Sequence, residues 1–370
     1  MKKIFYSFSV ALFSLAIVSC QDPNKQGPEN TDDNMQAINE AFVDKIVVPT
    51  YKNLADKSLD LQTALESLKS NPSDAQVEAA CALWVSARQY WEWSEAFLFG
   101  AASKYAIDPH IDTWPLDQTR LETLLKSELF QQDPAGTIAD MNNGLVGFHG
   151  LEYIIFREGK PRKMEAITPV ELDYAIAVAA DLALSCIRLE AAWANNVSDE
   201  KAAILAEAEM EPEDNFGDMM KNAGQAGSIW RSVALGTEQI IEGCKTIVDE
   251  VAMSKIGSPY YQEDINNIES PHAYNSIQDF YDNIKGVQSV YFGEMNANKP
   301  LSTSISALVK SIDSDLDAEV QNALDDCLAA INEMPKPFVL NYTDAKVEAA
   351  IEACDALLIK LEEARQCIMQ

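Results

Sequence analysis

Histidine is the scarcest chemistry-bearing residue of this chain: His110, His149 and His272 are the only three in 370 residues. HExxH does not occur, so the familiar zinc-hydrolase helix is missing. A three-ligand catalytic zinc would have to recruit distant groups, with Glu95 or His110 as candidates. A GxSxG elbow, a P-loop and a GxGxxG fingerprint are also absent, and no motif demonstrates catalysis. Basic residues are short as well: 28 Lys and Arg against 58 Asp and Glu leave a net charge of −30. Such a surface repels a phosphate backbone, so no nucleic acid is expected as a partner, and an anionic membrane surface is disfavoured for the same reason. Cations, metal complexes and peptides stay open. Glycine and proline number only 15 each, and the chain is 47% hydrophobic. Long stretches rich in Ala, Leu and acidic residues lean towards helix with enough apolar surface for real cores.

Long apolar runs are confined to the start. Met1-Lys2-Lys3 is basic, and Ile4 to Val18 is apolar apart from serines. That run is too short for a comfortable transmembrane helix and has the length of a signal-peptide core. Ile17-Val18-Ser19-Cys20 is similar to a bacterial lipobox, in which Cys20 is lipidated and becomes the mature N-terminus. The alternative is an ordinary cleaved signal followed by an unrelated cysteine. Gln21 to Asn34, with Pro23, Gly27 and Pro28, reads as a flexible tether. The expectation is an exported protein, periplasm-facing or on the outer membrane, held to the membrane by lipid alone.

Six cysteines follow, with no CxxC pair among them: Cys81, Cys186, Cys244, Cys327, Cys354 and Cys367. Cys81 and Cys186 sit in apolar helical patterns and read as buried thiols. Cys327 and Cys354 flank the Pro335/Pro337 loop at comparable distance, so a bridge between them is one arrangement that export would permit.

Periodicity predicts a helical pair, or one helix disturbed at Pro49, over 35–70. The signal Asn71-Pro72-Ser73-Asp74 starts the next helix, which runs to about Phe99. Residues 100–119 are irregular. Helices are expected over 120–131, 136–157, 168–195, 218–255, 273–292, 303–312, 316–333 and 344–369, with no strand-like alternation. The fold class is all-α. After a signal peptide (1–19) and a lipidated tether (20–35), two bundles are expected over 36–197 and 198–370, with the boundary near 196–217.

Two places put charge into an apolar stripe. At 100° per residue, Val77, Cys81, Trp84, Arg88, Trp91, Glu95, Leu98 and Phe99 fall within about 50° of one line. A buried unpaired charge is very costly, so Arg88 and Glu95 must pair, bind something, or border a cleft. In the second stripe Leu145, Phe148, His149, Glu152, Ile155 and Phe156 share one sector. His149 and Glu152 stand one turn apart on one face, as half of a metal site or as a hydrogen-bonded core pair. Gly144, Gly147 and Gly150 leave bare helix surface nearby for another backbone or a ligand.

Gly147-Phe148-His149-Gly150-Leu151-Glu152 resembles the GxHxxE signature of the imelysin-like proteins, a family classed with metallopeptidases. Three further segments agree in order: Arg88 to Gly100 around Ser94-Glu95-Ala96-Phe97; Ile111-Asp112-Thr113-Trp114-Pro115-Leu116-Asp117; and Glu269-Ser270-Pro271 with Asn275-Ser276-Ile277-Gln278-Asp279-Phe280 and Asn283. The resemblance, over roughly 36–370, implies an all-helical exported protein associated with bacterial iron uptake and a site near the domain interface. Its leading residues are His149 and Glu152, with Glu95, Arg88, Asp112 and Trp114 around them and Ser270, Asn275 and Asp279 further out. His149, Glu152 and Glu95 are the implied metal ligands. By periodicity the helix from Tyr274 buries Ile277, Phe280, Tyr281, Ile284 and Tyr291. Asn275 and Asp279 then lie on the opposite face, solvated or turned to the other domain. His272 departs from the family pattern and receives no role.

Three functions follow. One is a non-enzymatic binding lipoprotein that holds a metal ion, an iron complex or an iron-uptake partner protein; ligation by oxygen and one imidazole suits iron better than sulfur-rich zinc chemistry. The second is a metallopeptidase in which His149 ligates zinc and Glu152 activates water. The third is a scaffold with a buried polar network.

Overall fold

The computed structural model describes residues 31–141 and 144–370. The stretch expected as a signal peptide (1–19), Cys20 and residues 21–30 lie outside the described residues. Helix α1 (Thr31–Phe42) begins inside the stretch expected as tether, with Asp32 and Asp33 in its first turn, where acidic side chains suit the helix dipole. It continues through a π-helical turn, Val43–Val47, into α2 (Val48–Ser70). Pro49 therefore sits in the first turn of α2, where its missing N–H is least needed.

Ser73 caps α3 (Asp74–Ser94) by accepting from the Gln76 N–H at 3.3 Å. α3 tightens into a 3-10 turn at Glu95–Phe97. The helix expected over 136–157 is instead a short one, Pro134–Ala139, a loop, and α4 (Gly147–Ile155). Residues 156–161 form a two-residue antiparallel ladder, too short to leave alternation in the sequence. A capping box of Thr168 and Glu171 opens α5 (Pro169–Trp193). Past a short helix at Asp199–Glu207 come α6 (Val233–Glu250), its π-helical extension Val251–Ile256, α7 (Ser276–Phe292), α8 (Ser314–Glu333) and α9 (Ala345–Ile368).

α2, α3 and α5 pack together, with α4 against α3 and α5. In the second half α6, α7, α8 and α9 pack on one another, and α1 lies along α6. One hydrophobic cluster runs through both halves, from Met35 to Ile368. The junction is α3 against α7. A Cβ at Gly286 would stand 2.4 Å from the Trp93 carbonyl oxygen, so glycine there sets how closely the two helices approach. This contact turns α7 into an interior helix: Asp279, Asp282, Asn283 and Gln288 are all buried, whereas Tyr281 is only half-buried. Among the described residues no helix is long and apolar enough to cross a membrane.

Candidate functional site

The two charged stripes meet at the junction of the halves. Arg88 is wholly buried on α3. Its Nη2 lies 2.6 Å from Glu92 Oε1 and 2.5 Å from Glu269 Oε1, and its Nη1 donates to Asp112 Oδ1. Asp112 follows the short helix Asp108–Ile111 and also accepts from Trp91 Nε1 at 2.7 Å. Gly147, at φ +78°, lets α4 start directly against that helix: a Cβ there would stand 2.0 Å from the Ile111 carbonyl oxygen. The close approach brings His149 Nε2 to 3.2 Å from Asp112 Oδ1, while His149 Nδ1 is 3.3 Å from Glu152 Oε2.

The other half supplies Lys255, from the π-helical turn after α6, and Glu269 from the loop before α7. Lys255 Nζ donates to Glu95 Oε2 at 2.7 Å and Glu269 Oε1 at 3.1 Å, and lies 3.4 Å from Glu92 Oε2. Asn283 on α7 donates to Glu92 Oε2 at 2.6 Å and Glu95 Oε2 at 2.5 Å. Asp279 stands 3.8 Å from Arg88 Nε and accepts from Asn275 Nδ2 at 2.6 Å. Of the two orientations open for Asp279, it takes the inward one. The loop carrying Ser270 is clamped by Glu152 Oε1, which accepts the backbone N–H groups of His272 at 2.7 Å and Ala273 at 2.8 Å. Ser270 and Tyr274 both hold positive φ, 48° and 58°, strain that such a clamp can maintain.

Glu92, Glu95, Asp112, Glu152, Glu269 and Asp279 thus outnumber Arg88, Lys255 and His149, and all are buried. A cleft of about 610 Å3 reaches this cluster from one side, with His149, Glu152, Trp114, Arg157, His272 and Tyr274 in its wall. Trp114 also covers Lys255, whose Nζ is 5.3 Å from the ring centroid. His110 stands apart: it pairs with Asp181 at 2.8 Å, so it is not the distant ligand that the sequence allowed.

The family model described as Imelysin matches residues 47–363. The chain belongs to the imelysin family. A curated relative, iron-regulated protein A of Synechococcus elongatus, is 28% identical over 255 residues; that match covers 69% of this chain and 64% of the relative, so the chain spans less than two thirds of that protein's length. The crystal structure of a Parabacteroides distasonis protein named after iron-regulated protein A superposes with a TM-score of 0.82 at 27% identity, covering 93% of this chain and 97% of that one. An imelysin-like protein of Psychrobacter arcticus shares the fold, with a TM-score of 0.62 at 15% identity over 91% and 93% of the two chains.

In this imelysin the four motif segments converge: Arg88, Glu95, Asp112, His149, Glu152 and Asp279 lie in or against one cluster, with Trp114 over it, Asn275 on Asp279 and Ser270 buried beside them. Sequence reasoning missed Glu92, Lys255, Glu269 as a charged partner, and the cleft-facing His272. Donor chemistry fits a hard or borderline cation. Asp112, His149 and Glu269 each offer a ligand atom within 4.8 Å of the others, and so do Glu92, Glu95 and Asp112. Glu269 Oε2 is buried without a hydrogen-bond partner, and His149 Nε2 faces Asp112 Oδ1. Glu152 belongs to neither set. A cation at the first set competes with Arg88 for Asp112 and Glu269.

Burial pushes the Glu95 carboxyl up to about 7 against the pull of Lys255, and raises Asp108 to about 6. Burial alone would lower His149, but the Asp112 and Glu152 carboxylates outweigh it and hold the imidazole at about 9. For each of these groups the folded value exceeds the unfolded one. Their stabilisation is therefore complete below the unfolded value and is lost as pH rises through the folded value. Asp112 runs the other way: burial would raise it, but Arg88 and His149 hold it well below the carboxylate range, so its contribution is lost only in stronger acid. Thermal melts of metal-free protein should give the highest Tm near pH 5 and a steady fall towards pH 9. A maximum at pH 8 would contradict these assignments.

Proposed function

We propose that this imelysin is a non-enzymatic, iron-linked binding protein that takes an iron ion, alone or as a small complex, at Asp112, His149 and Glu269. The observation that carries this reading is the convergence of ligand atoms from Asp112, His149 and Glu269, with Glu269 Oε2 unpartnered and His149 in the wall of an open cleft. A buried polar atom without a partner is uncommon, and a cation held by the three residues would satisfy Glu269 Oε2. Two carboxylates and an imidazole suit ferrous iron or zinc. Iron is favoured because the relative from Synechococcus elongatus is named iron-regulated protein A. The cleft leaves room beside the ion for organic ligands. Export and a lipid anchor at Cys20 belong to the same proposal, on the strength of the leader and the Ser19-Cys20 junction.

Hydrolysis is the weaker reading because Glu152 is already used. One of its oxygens accepts two backbone N–H groups and the other faces His149, so no carboxylate of the motif is free to activate water. The deciding experiment is elemental analysis with iron and zinc titration of the mature protein, beside His149→Ala. Near-stoichiometric binding that the variant loses while keeping a cooperative melt supports the proposal. Absence of metal from both proteins would leave the cluster as a structural ion network. Casein cleavage abolished by Glu152→Gln would reinstate the peptidase.

A further inference from the structure

Cys327 on α8 and Cys354 on α9 are free thiols, wholly buried, with their sulfurs 3.4 Å apart. We infer that the pair is an oxidisable site that closes as an intramolecular disulfide across the α8–α9 hairpin. Reaching the S–S bond length needs roughly 1.4 Å of approach, within the reach of small side-chain rotations. Three of the other thiols are placed away from the pair. Cys81 Sγ lies against the Ile155 carbonyl and Cys186 Sγ against the Ser58 hydroxyl. Cys367 is on α9 itself, about 20 Å along the helix from Cys354 at 1.5 Å per residue. Contact with Cys354, with burial added, holds the Cys327 thiol well above its ordinary pKa.

The oxidation balances as thiol–disulfide exchange. Cys327 and Cys354 lose two protons and two electrons and form one S–S bond, while a disulfide-bearing oxidant such as oxidised glutathione takes them up and becomes two thiols. Because both sulfurs are buried in the folded hairpin, exchange takes place while α8 and α9 are still apart, during folding. The bond restricts the unfolded chain by joining residues 27 apart. It also fixes α9, which packs on α6 and on the π-helical turn that carries Lys255. The inference concerns the chemistry of this pair alone and stands whichever way the metal titration comes out.

The test refolds the full chain in oxidised or in reduced glutathione, unfolds it, alkylates it and maps the peptides by mass spectrometry. The expected result is a Cys327–Cys354 linked peptide in the oxidised sample only, with a Tm higher by on the order of 5 °C than in the reduced one. Cys327→Ala should melt at the same temperature in both. The wild-type comparison needs no variant, so a poorly folding Cys327→Ala does not weaken it. Recovery of both residues as alkylated thiols after oxidative refolding, or linkage of either to another cysteine, would overturn the inference.

Discussion

Arg88→Met is expected to lower the unfolding free energy by about 3–5 kcal/mol at pH 7.5, the usual loss when one partner of a buried ion network is removed. Methionine fills most of the arginine's volume, so the loss is electrostatic rather than a cavity effect. It strands four carboxylates at once: Glu92, Glu269 and Asp112 each lose a close contact with the guanidinium, and Asp279 loses one at 3.8 Å. Asp112 keeps the Trp91 N–H and Glu269 keeps Lys255, but Glu92 then depends on Lys255 and Asn283. Arg88→Lys should recover only part of the loss, because one ammonium cannot span the three directions that the planar guanidinium serves. Urea denaturation of the three proteins measures this. The deficit should shrink towards pH 5, where the stranded carboxyls can take protons. A loss below about 1 kcal/mol would show that the carboxylates relax into solvent through the cleft and that Arg88 is not the centre of the network.

The same residue shows what the sequence could and could not reveal. Arg88 and Glu95 were legible because helical periodicity placed charge among Trp84, Trp91 and Val77, and buried charge demands a partner. Glu92 falls about 70° from that line at 100° per residue, just outside the sector, although it is as deeply buried as Arg88. Lys255 carried the same signal unread: it continues the apolar series Cys244, Val248, Val251 of α6 and its π-helical extension at spacings of four, three and four residues. Glu269 had no periodicity to betray it, since its loop is shaped by the clamp from Glu152, a contact between residues more than a hundred positions apart. The inward turn of Asp279 was likewise undetermined, because nothing along α7 reveals that Gly286 admits the Trp93 carbonyl and so closes the polar face of the helix against α3. Most of the long helices and several caps were readable, although the helix expected over 218–255 is broken between Lys221 and Val233; the partner of each buried charge was a tertiary matter.

The second large effect separates the proposed ligand set from the one that the motif alone suggests. Asp112 is the one residue common to both groups of convergent donors, whereas Glu152 appears in neither. Asp112→Asn keeps the shape of the side chain and can still accept from Trp91 Nε1, but it removes the charge that draws a cation to His149 and Glu269. Iron or zinc affinity, measured by calorimetric titration, should fall by at least 10–100-fold, the range already seen when residues behind a metal's ligands are changed. Glu152→Gln should cost clearly less than Asp112→Asn, since the carboxamide oxygen can go on accepting the His272 and Ala273 N–H groups that hold the loop, and only the contact with His149 Nδ1 is weakened. The reverse order, with Glu152→Gln abolishing binding and Asp112→Asn sparing it, would place the ion at the His149–Glu152 edge facing the cleft. The buried acids around Arg88 would then be the support of the site rather than the site itself.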